Sequence, residues 1–245
     1  KGIGVTDVVY NTLLDICAKA AVRNDGRDWA AEAFEIVERM RAAGVRPNIV
    51  TYNTLLDTCA HTAGRGQLGG VATAVRLLET MHVEGVDPDA VSYTCFINAA
   101  RKEGTREAVE TAFTAFRALP QARNVRNKHT YTSMIRALSS VGRWQEAVGL
   151  LEDARGQGIR PDRIMYSVCM EAVGHDRDAV RSLHKRMRAD GIEDDQTTRK
   201  QLERVDRYGT SSLRRRETGP TAMSMSPPCA ATSRLSSSSG GGGGG

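Results

Sequence analysis

Five histidines, five cysteines and one glycine-rich stretch are the residues of this 245-residue chain whose chemistry could go beyond hydrogen bonding. Their spacing assembles no familiar reactive centre. His175-Asp176 and the pair His82, Glu84 are not arranged for catalysis or for holding a metal. No His-x-Glu accompanies a Cys-x-x-Cys, so the zinc deaminase arrangement is absent. No aspartate cluster of the metallonuclease kind is recognisable either, and no cofactor is expected. Cys17, Cys59, Cys95, Cys169 and Cys229 form no Cys-x-x-Cys pair. Cys17 and Cys59 share one offset on an apolar helix face, so they read as buried small hydrophobes in a reducing compartment. The stretch Gly64-Arg65-Gly66-Gln67-Leu68-Gly69-Gly70 has no Gly-Lys-Ser/Thr after it and no strand before it, and reads as a loop between helices rather than a phosphate cradle. What remains is hydrogen bonding by short polar side chains. Asn11, Asn53, Thr94, Thr132 and Ser167 each follow a tyrosine.

Those tyrosines, Tyr10, Tyr52, Tyr93, Tyr131 and Tyr166, stand 42, 41, 38 and 35 residues apart. Each sits in a helix-sized apolar segment. Val9-Tyr10-Asn11-Thr12-Leu13-Leu14-Asp15 is nearly repeated by Val50-Thr51-Tyr52-Asn53-Thr54-Leu55-Leu56-Asp57. In the first segment Tyr10, Leu13, Leu14 and Cys17 form an i, i+3, i+4, i+7 stripe. A second helix-sized segment follows, with Ala33, Val37 and Met40 on one face in the first unit and Ala74, Leu78 and Met81 in the second. Gly44 then supplies a helix C-cap and Pro47 prevents continuation. Self-similarity at this period marks a stacked helical repeat, whose units bury their apolar faces only against neighbours.

The units are placed at 7–48, 49–89, 90–127, 128–162 and 163–195, with a capping helix over 196–208. Residues 1–6 resemble the end of a preceding unit, because Gly2-Ile3-Gly4-Val5-Thr6 matches the later closures with Val5 in the proline slot. At least one further unit is therefore expected upstream of Lys1, and no targeting peptide is visible. The third unit lacks the Gly-x-x-Pro closure near Leu119-Pro120, so its junction is expected to be distorted. Residues 209–245 are rich in Ser, Gly, Pro and Arg and are expected to be disordered. Within them Arg214-Arg215-Arg216 reads as a nonspecific phosphate contact at most.

The net charge of +5 is concentrated at the C-terminal end. Residues 199–245 hold eight Lys/Arg and three Asp/Glu, which leaves residues 1–198 balanced at 26 against 26. A polyanion bound by the array would therefore have to meet positive charge gathered on one face. The sequence has no run of 18 apolar residues, so no membrane span is expected.

The segments Val50–Asp57, Cys17-Ala18-Lys19-Ala20, Met40 to Asn48, Met81 to Asp89 and Gly158-Ile159-Arg160-Pro161-Asp162 together resemble the pentatricopeptide repeat in its P-type form. The resemblance covers about residues 1–200. The tetratricopeptide pattern Trp-x-x-Leu-Gly-x-x-Tyr is absent. Units of 41–42 residues exceed the family's length, and the surplus falls between the helices, where insertion is best tolerated. The resemblance implies an all-α right-handed superhelical solenoid whose first helices line the concave face. It implies binding of single-stranded RNA, about one base per repeat, with no catalysed reaction. The implied base-reading pairs are Asn11 with Asn48, Asn53 with Asp89, Thr94 with Asn127, Thr132 with Asp162, and Ser167 with Asp195. In the family such pairs point to a pyrimidine, U, A, G and G. Val8, Val50, Val91, His129 and Ile164 would sandwich the bases, His129 departing from the aliphatic norm. The phosphate-facing offset holds Lys19, His61, Lys102, Ser140 and His175, of which Lys19 and Lys102 are cationic at pH 7. The family is largely organellar, which implies mitochondrion or chloroplast and a part in RNA processing, stability or translation.

Two plainer readings compete. Asn, Thr and Ser at helix starts satisfy free backbone N–H groups, and the closing Asx residues can cap the next helix. The array would then be a protein-binding scaffold within a ribonucleoprotein complex, or a targeting subunit for an enzyme carried elsewhere. The tyrosines share a stripe with leucine and cysteine and read as core rather than as base platforms.

Overall fold

The computed structural model describes residues 6–23, 25–64, 70–119, 125–174 and 176–217, with backbone alone from 208 onward. Among them are eleven helices and no strand: α1 (Asp7–Arg23), α2 (Trp29–Ala42), α3 (Ile49–Thr62), α4 (Val71–Val83), α5 (Ala90–Glu103), α6 (Arg106–Ala118), α7 (Lys128–Ser140), α8 (Trp144–Gly156), α9 (Arg163–Val173), α10 (Arg177–Ala189) and α11 (Gln196–Glu217). None is long and apolar enough to cross a membrane.

The odd-numbered helices form one continuous row. α1 packs on α3, α3 on α5, α5 on α7, α7 on α9 and α9 on α11. Each even-numbered helix folds back on its predecessor and leans on the next odd one. The molecule is an α-solenoid with an inner row of first helices and an outer row of second helices.

Its core follows from the apolar stripes. Leu55, Leu56 and Cys59 of α3 are at most 1% exposed, because α3 lies between α1 and α5. The equivalent stripe of α1 splits. Leu14 and Cys17 are buried, whereas Leu13 is 43% exposed, since no described helix lies on that flank of α1. Cys17, Cys59, Cys95 and Cys169 are all buried. Burial pushes the thiols of Cys59, Cys95 and Cys169 up to about 12.

Tyr52, Tyr131 and Tyr166 have 0% exposure, as core residues should, yet their hydroxyls have work of their own. Arg41 at the end of α2 donates to the Tyr52 hydroxyl at 3.0 Å and to Glu84 beyond α4 at 2.7 Å. Arg155 of α8 donates to the Tyr166 hydroxyl at 2.7 Å, that hydroxyl donates to Asp190 at 2.6 Å, and Arg155 pairs with Asp190 directly. Tyr131 donates to Asp153 at 2.6 Å, with Arg126 3.9 Å from the same carboxylate. These triads tie a second helix, or in the Tyr131 case the linker, to the next unit. Burial, then the carboxylates, pushes all three phenols up to about 12.

The closures are built alike. The Val45 N–H reaches the Met40 carbonyl and the Gly44 N–H reaches Arg41, a Schellman motif that puts Gly44 at φ 76°. The pattern returns at Gly85, Gly158 and Gly191. In the third unit α6 ends instead in the extended Leu119, and the expected distorted junction passes into residues 120–124, outside the described residues. α11 continues to Glu217, past the Tyr208 boundary expected for the capping helix. Residues 1–5, most of the glycine-rich loop and the tail from 218 also lie outside the described residues.

Leu55→Ala should lower the unfolding free energy by roughly 2–5 kcal/mol, and the equivalent Leu13→Ala by less than about 1 kcal/mol, in urea titrations. Iodoacetamide at pH 8, followed by peptide mapping, should modify Cys59, Cys95 and Cys169 only after denaturant is added, because the buried thiols hold their protons well above that pH.

Candidate nucleic-acid interface

The inner row places the expected residues at one level of each repeat. Asn48, Asp89, Asn127, Asp162 and Asp195 are the residues immediately before α3, α5, α7, α9 and α11. Asn11, Asn53, Thr94, Thr132 and Ser167 each lie in the second turn of the preceding first helix. All ten side chains are half-buried.

Every closing Asx residue caps the helix that follows. Asn48 Oδ1 accepts from the Val50 and Thr51 N–H groups at 3.0 and 3.1 Å. Asp89 Oδ1 accepts from Val91 and Ser92, both at 2.9 Å. Asn127 accepts from His129 and Thr130, Asp162 from Met165, and Asp195 from Thr198. The Thr198 N–H and hydroxyl, chiefly, hold the Asp195 carboxyl below its ordinary value. The capping alternative is therefore real for these five residues.

Capping does not exhaust them in the first two repeats. Asn11 Nδ2 donates to Asn48 Oδ1 at 3.4 Å, and Asn53 Nδ2 donates to Asp89 Oδ1 at 3.2 Å. A third residue orients each amide. The Thr51 hydroxyl donates to Asn11 Oδ1 at 2.7 Å and the Ser92 hydroxyl to Asn53 Oδ1 at 2.5 Å. With Oδ1 accepting there, Nδ2 must face the closing Asx residue. The bonds described for Asp89 all end on one carboxylate oxygen, Oδ1. In the third and fourth repeats the hydroxyl turns to its own helix, Thr94 donating to Ala90 at 2.6 Å and Thr132 to Lys128 at 2.7 Å. Ser167 and Asp195 likewise share no described bond.

The orienting residues Thr51 and Ser92, and Thr130 and Thr198 at the matching positions, have 0% exposure and were not singled out from the sequence. Their signal was legible as a recurring Asx-x-x-Ser/Thr, a variant of the capping box. Asp162 breaks it, since Met165 stands third after it.

Beside these pairs stand exposed aliphatics. Val8 is 66% exposed, Val50 and Val91 are each 53%, and Ile164 is 52%; His129 is exposed at the matching position of the fourth repeat. Beyond α1, Val50, Val83, Val91 and Ile164 are the large apolar side chains left exposed among the described residues. Three of those four occupy this one repeated position.

The basic residues are less open than their charge implies. Lys19 pairs with Asp15 at 2.5 Å. Lys102 Nζ lies 2.5 Å from His61 Nδ1, and His61 Nε2 lies 3.6 Å from Asp57. His175 lies outside the described residues. No group of three His, Cys, Asp or Glu side chains able to hold a metal ion is found among the described residues.

A stack of helical hairpins with an inner row carrying one polar pair and one exposed aliphatic per unit defines a helical-repeat binding protein. Residues 1–62 match the model of the pentatricopeptide repeat domain, and residues 129–159 match that of the PPR repeat. The chain is 30% identical over 102 residues to pentatricopeptide repeat-containing protein 10, chloroplastic, of Zea mays, covering 40% of this chain and 13% of that relative. The fold is similar to the crystal structure of the pentatricopeptide repeat protein PPR10 in complex with an 18-nt psaJ RNA element, with TM-score 0.69 and 17% identity over 88% of this chain and 29% of that one. It is also similar to the PPR domain of Arabidopsis thaliana protein-only RNase P 1 in complex with tRNA, with TM-score 0.58 and 17% identity over 82% of this chain and 98% of that domain. Residues 1–62 and 129–159 of this chain thus carry pentatricopeptide-repeat sequence on a fold similar to that of pentatricopeptide-repeat structures. It spans about an eighth of the curated relative's length.

Asp89→Ala should cost about 1 kcal/mol of stability (roughly 0.5–2), the usual value of a lost N-cap, while Asp89→Asn should cost far less because the acceptor survives. Urea unfolding of the two variants measures the difference.

Proposed function

We propose that the array binds single-stranded RNA with base selectivity, one base per repeat, and acts by binding rather than by catalysing a reaction. The observation that carries this reading is the row of exposed aliphatics on the inner helices, Val8, Val50, Val91 and Ile164, each two positions before its tyrosine. Folding gains nothing from leaving them in water. An apolar side chain in that position, next to paired hydrogen-bonding groups, matches the two faces of a nucleobase: a flat surface to cover and a polar edge to bond.

In this reading Asn11 and Asn48 meet a pyrimidine, Asn53 and Asp89 a U, Thr94 and Asn127 an A, Thr132 and Asp162 a G, and Ser167 and Asp195 a G. The stacking positions are Val8, Val50, Val91, His129 and Ile164, and Lys19 and Lys102 lie nearest the phosphates. Capping supports the assignment instead of competing with it. A closing Asx residue anchored through Oδ1 holds its remaining polar atom in a fixed direction, and a fixed donor or acceptor discriminates better than a mobile one. The chloroplastic relative supports an organellar setting, in the mitochondrion or chloroplast, where the array would act in RNA processing, stability or translation.

Filter binding against a short randomised RNA pool tests the reading. Selective retention that weakens moderately with salt is expected, and Asn53→Thr should move the preference at one base from U toward G. Retention without base preference, or selectivity untouched by the substitution, would remove the pairing assignment. No retention at all would leave the scaffold reading.

A further inference from the structure

The residues expected at the phosphate offset leave repeats four and five without a described cation there, because Ser140 is neutral and His175 lies outside the described residues. The inner row nevertheless carries positive charge in this region, at other positions. A concavity between the C-terminal halves of α5, α7 and α9 is lined by Arg101, Arg136, Ser139, Ser140 and Glu171, together with Val168 and Ala172. It spans three consecutive first helices.

Charge along the row changes sign there. Five residues after each tyrosine stand Asp15, Asp57, Asn98, Arg136 and Glu171. In the first two repeats an acid stands beside the basic residue one turn later, Asp15 2.5 Å from Lys19 and Asp57 3.6 Å from His61. Arg101 and Arg136 are placed differently. Neither forms an ion pair among the described residues, and Arg101 Nε is buried without a hydrogen-bond partner. That leaves a directional donor unmet. The Ser139 and Ser140 hydroxyls are turned to the Ile135 and Ala137 carbonyls at 2.6 and 2.7 Å and do not quench the guanidiniums.

We propose that Arg101 and Arg136 form a backbone-holding site for a phosphodiester of single-stranded RNA, bridging repeats three and four, and that Glu171 at its rim weakens it. This rests on the RNA-binding reading above. A guanidinium presents paired N–H donors that match a phosphate's oxygens, and the half-buried Arg101 is screened less than a surface lysine. The array's backbone attraction is then centred on its C-terminal half instead of being spread evenly along it.

The test is fluorescence anisotropy with a labelled single-stranded RNA carrying CUAGG, titrated at several salt concentrations. The double variant R101Q/R136Q should lose about tenfold in affinity and flatten the plot of log affinity against log salt by about 0.7, the change for one single-strand phosphate that is no longer neutralised. Base preference should be unchanged. K19Q/K102Q should do less than half as much, because both lysines are already engaged. R101K/R136K keeps the charge and should keep the salt slope. Glu171→Gln should tighten binding about two- to threefold, a gain that misfolding cannot produce. An unchanged slope in R101Q/R136Q, while the wild-type chain binds, overturns the site and leaves the RNA reading standing. Absence of binding by the wild-type chain overturns both.

Discussion

Each first helix of this array is packed between two others, and that sandwich is what the remaining structure depends on. α3 has α1 on one side and α5 on the other, so Leu55 and Leu56, adjacent in sequence and about 100° apart around the helix, are both buried. No unit could bury that surface alone. Stability is a sum of interactions between neighbours, and the Tyr–Arg–carboxylate triads at Tyr52, Tyr131 and Tyr166 add a polar latch to three of those interfaces. The same stacking fixes the axial level at which each closing Asx residue meets the preceding first helix. The spacing of the polar pairs is thus a by-product of how leucine, alanine and methionine pack.

Capping and the proposed recognition draw on the same side chains. Oδ1 of Asp89 takes the backbone N–H groups of α5 and also the amide of Asn53, and the Ser92 hydroxyl turns that amide to face it. In the proposed reading, a residue pinned by its own helix start presents a fixed edge to a base, and the buried hydroxyl behind it fixes that edge. Thr94 and Thr132 are held more simply, by a carbonyl one turn back. The repeats therefore divide into interlocked amide pairs and separate hydroxyl–Asx pairs, a division set by what the first member of each pair can accept.

Electrostatics was the property least accessible from composition. Balanced charge over residues 1–198 gave no hint that Asp15 would pair with Lys19 in the first repeat while Arg101 and Arg136 keep no ion pair among the described residues in the later ones. Pairing depends on which side chains share a helix face and which helix lies beside it. Lys102 meets His61 across 41 residues of chain, an approach that only the α3–α5 packing creates.

The sequence alone determined the helical repeat, the place of each unit's opening and closing residues, and the identity of the polar and aliphatic positions on the inner row. These are local properties: a tyrosine-centred stripe at helical spacing, a glycine where φ must be positive, an Asx residue before a new helix. Tertiary structure alone decided which partners those residues keep. It buried Leu55 more deeply than Leu13, although the two segments read almost the same, because α3 has a described helix on each flank and α1 has a described first helix on one flank only. It made Thr51 and Ser92 the orienting groups behind the amide pairs and left Arg101 with a buried, unmet donor. Burial and charge pairing are relations between distant segments, and no pattern within one segment encodes them.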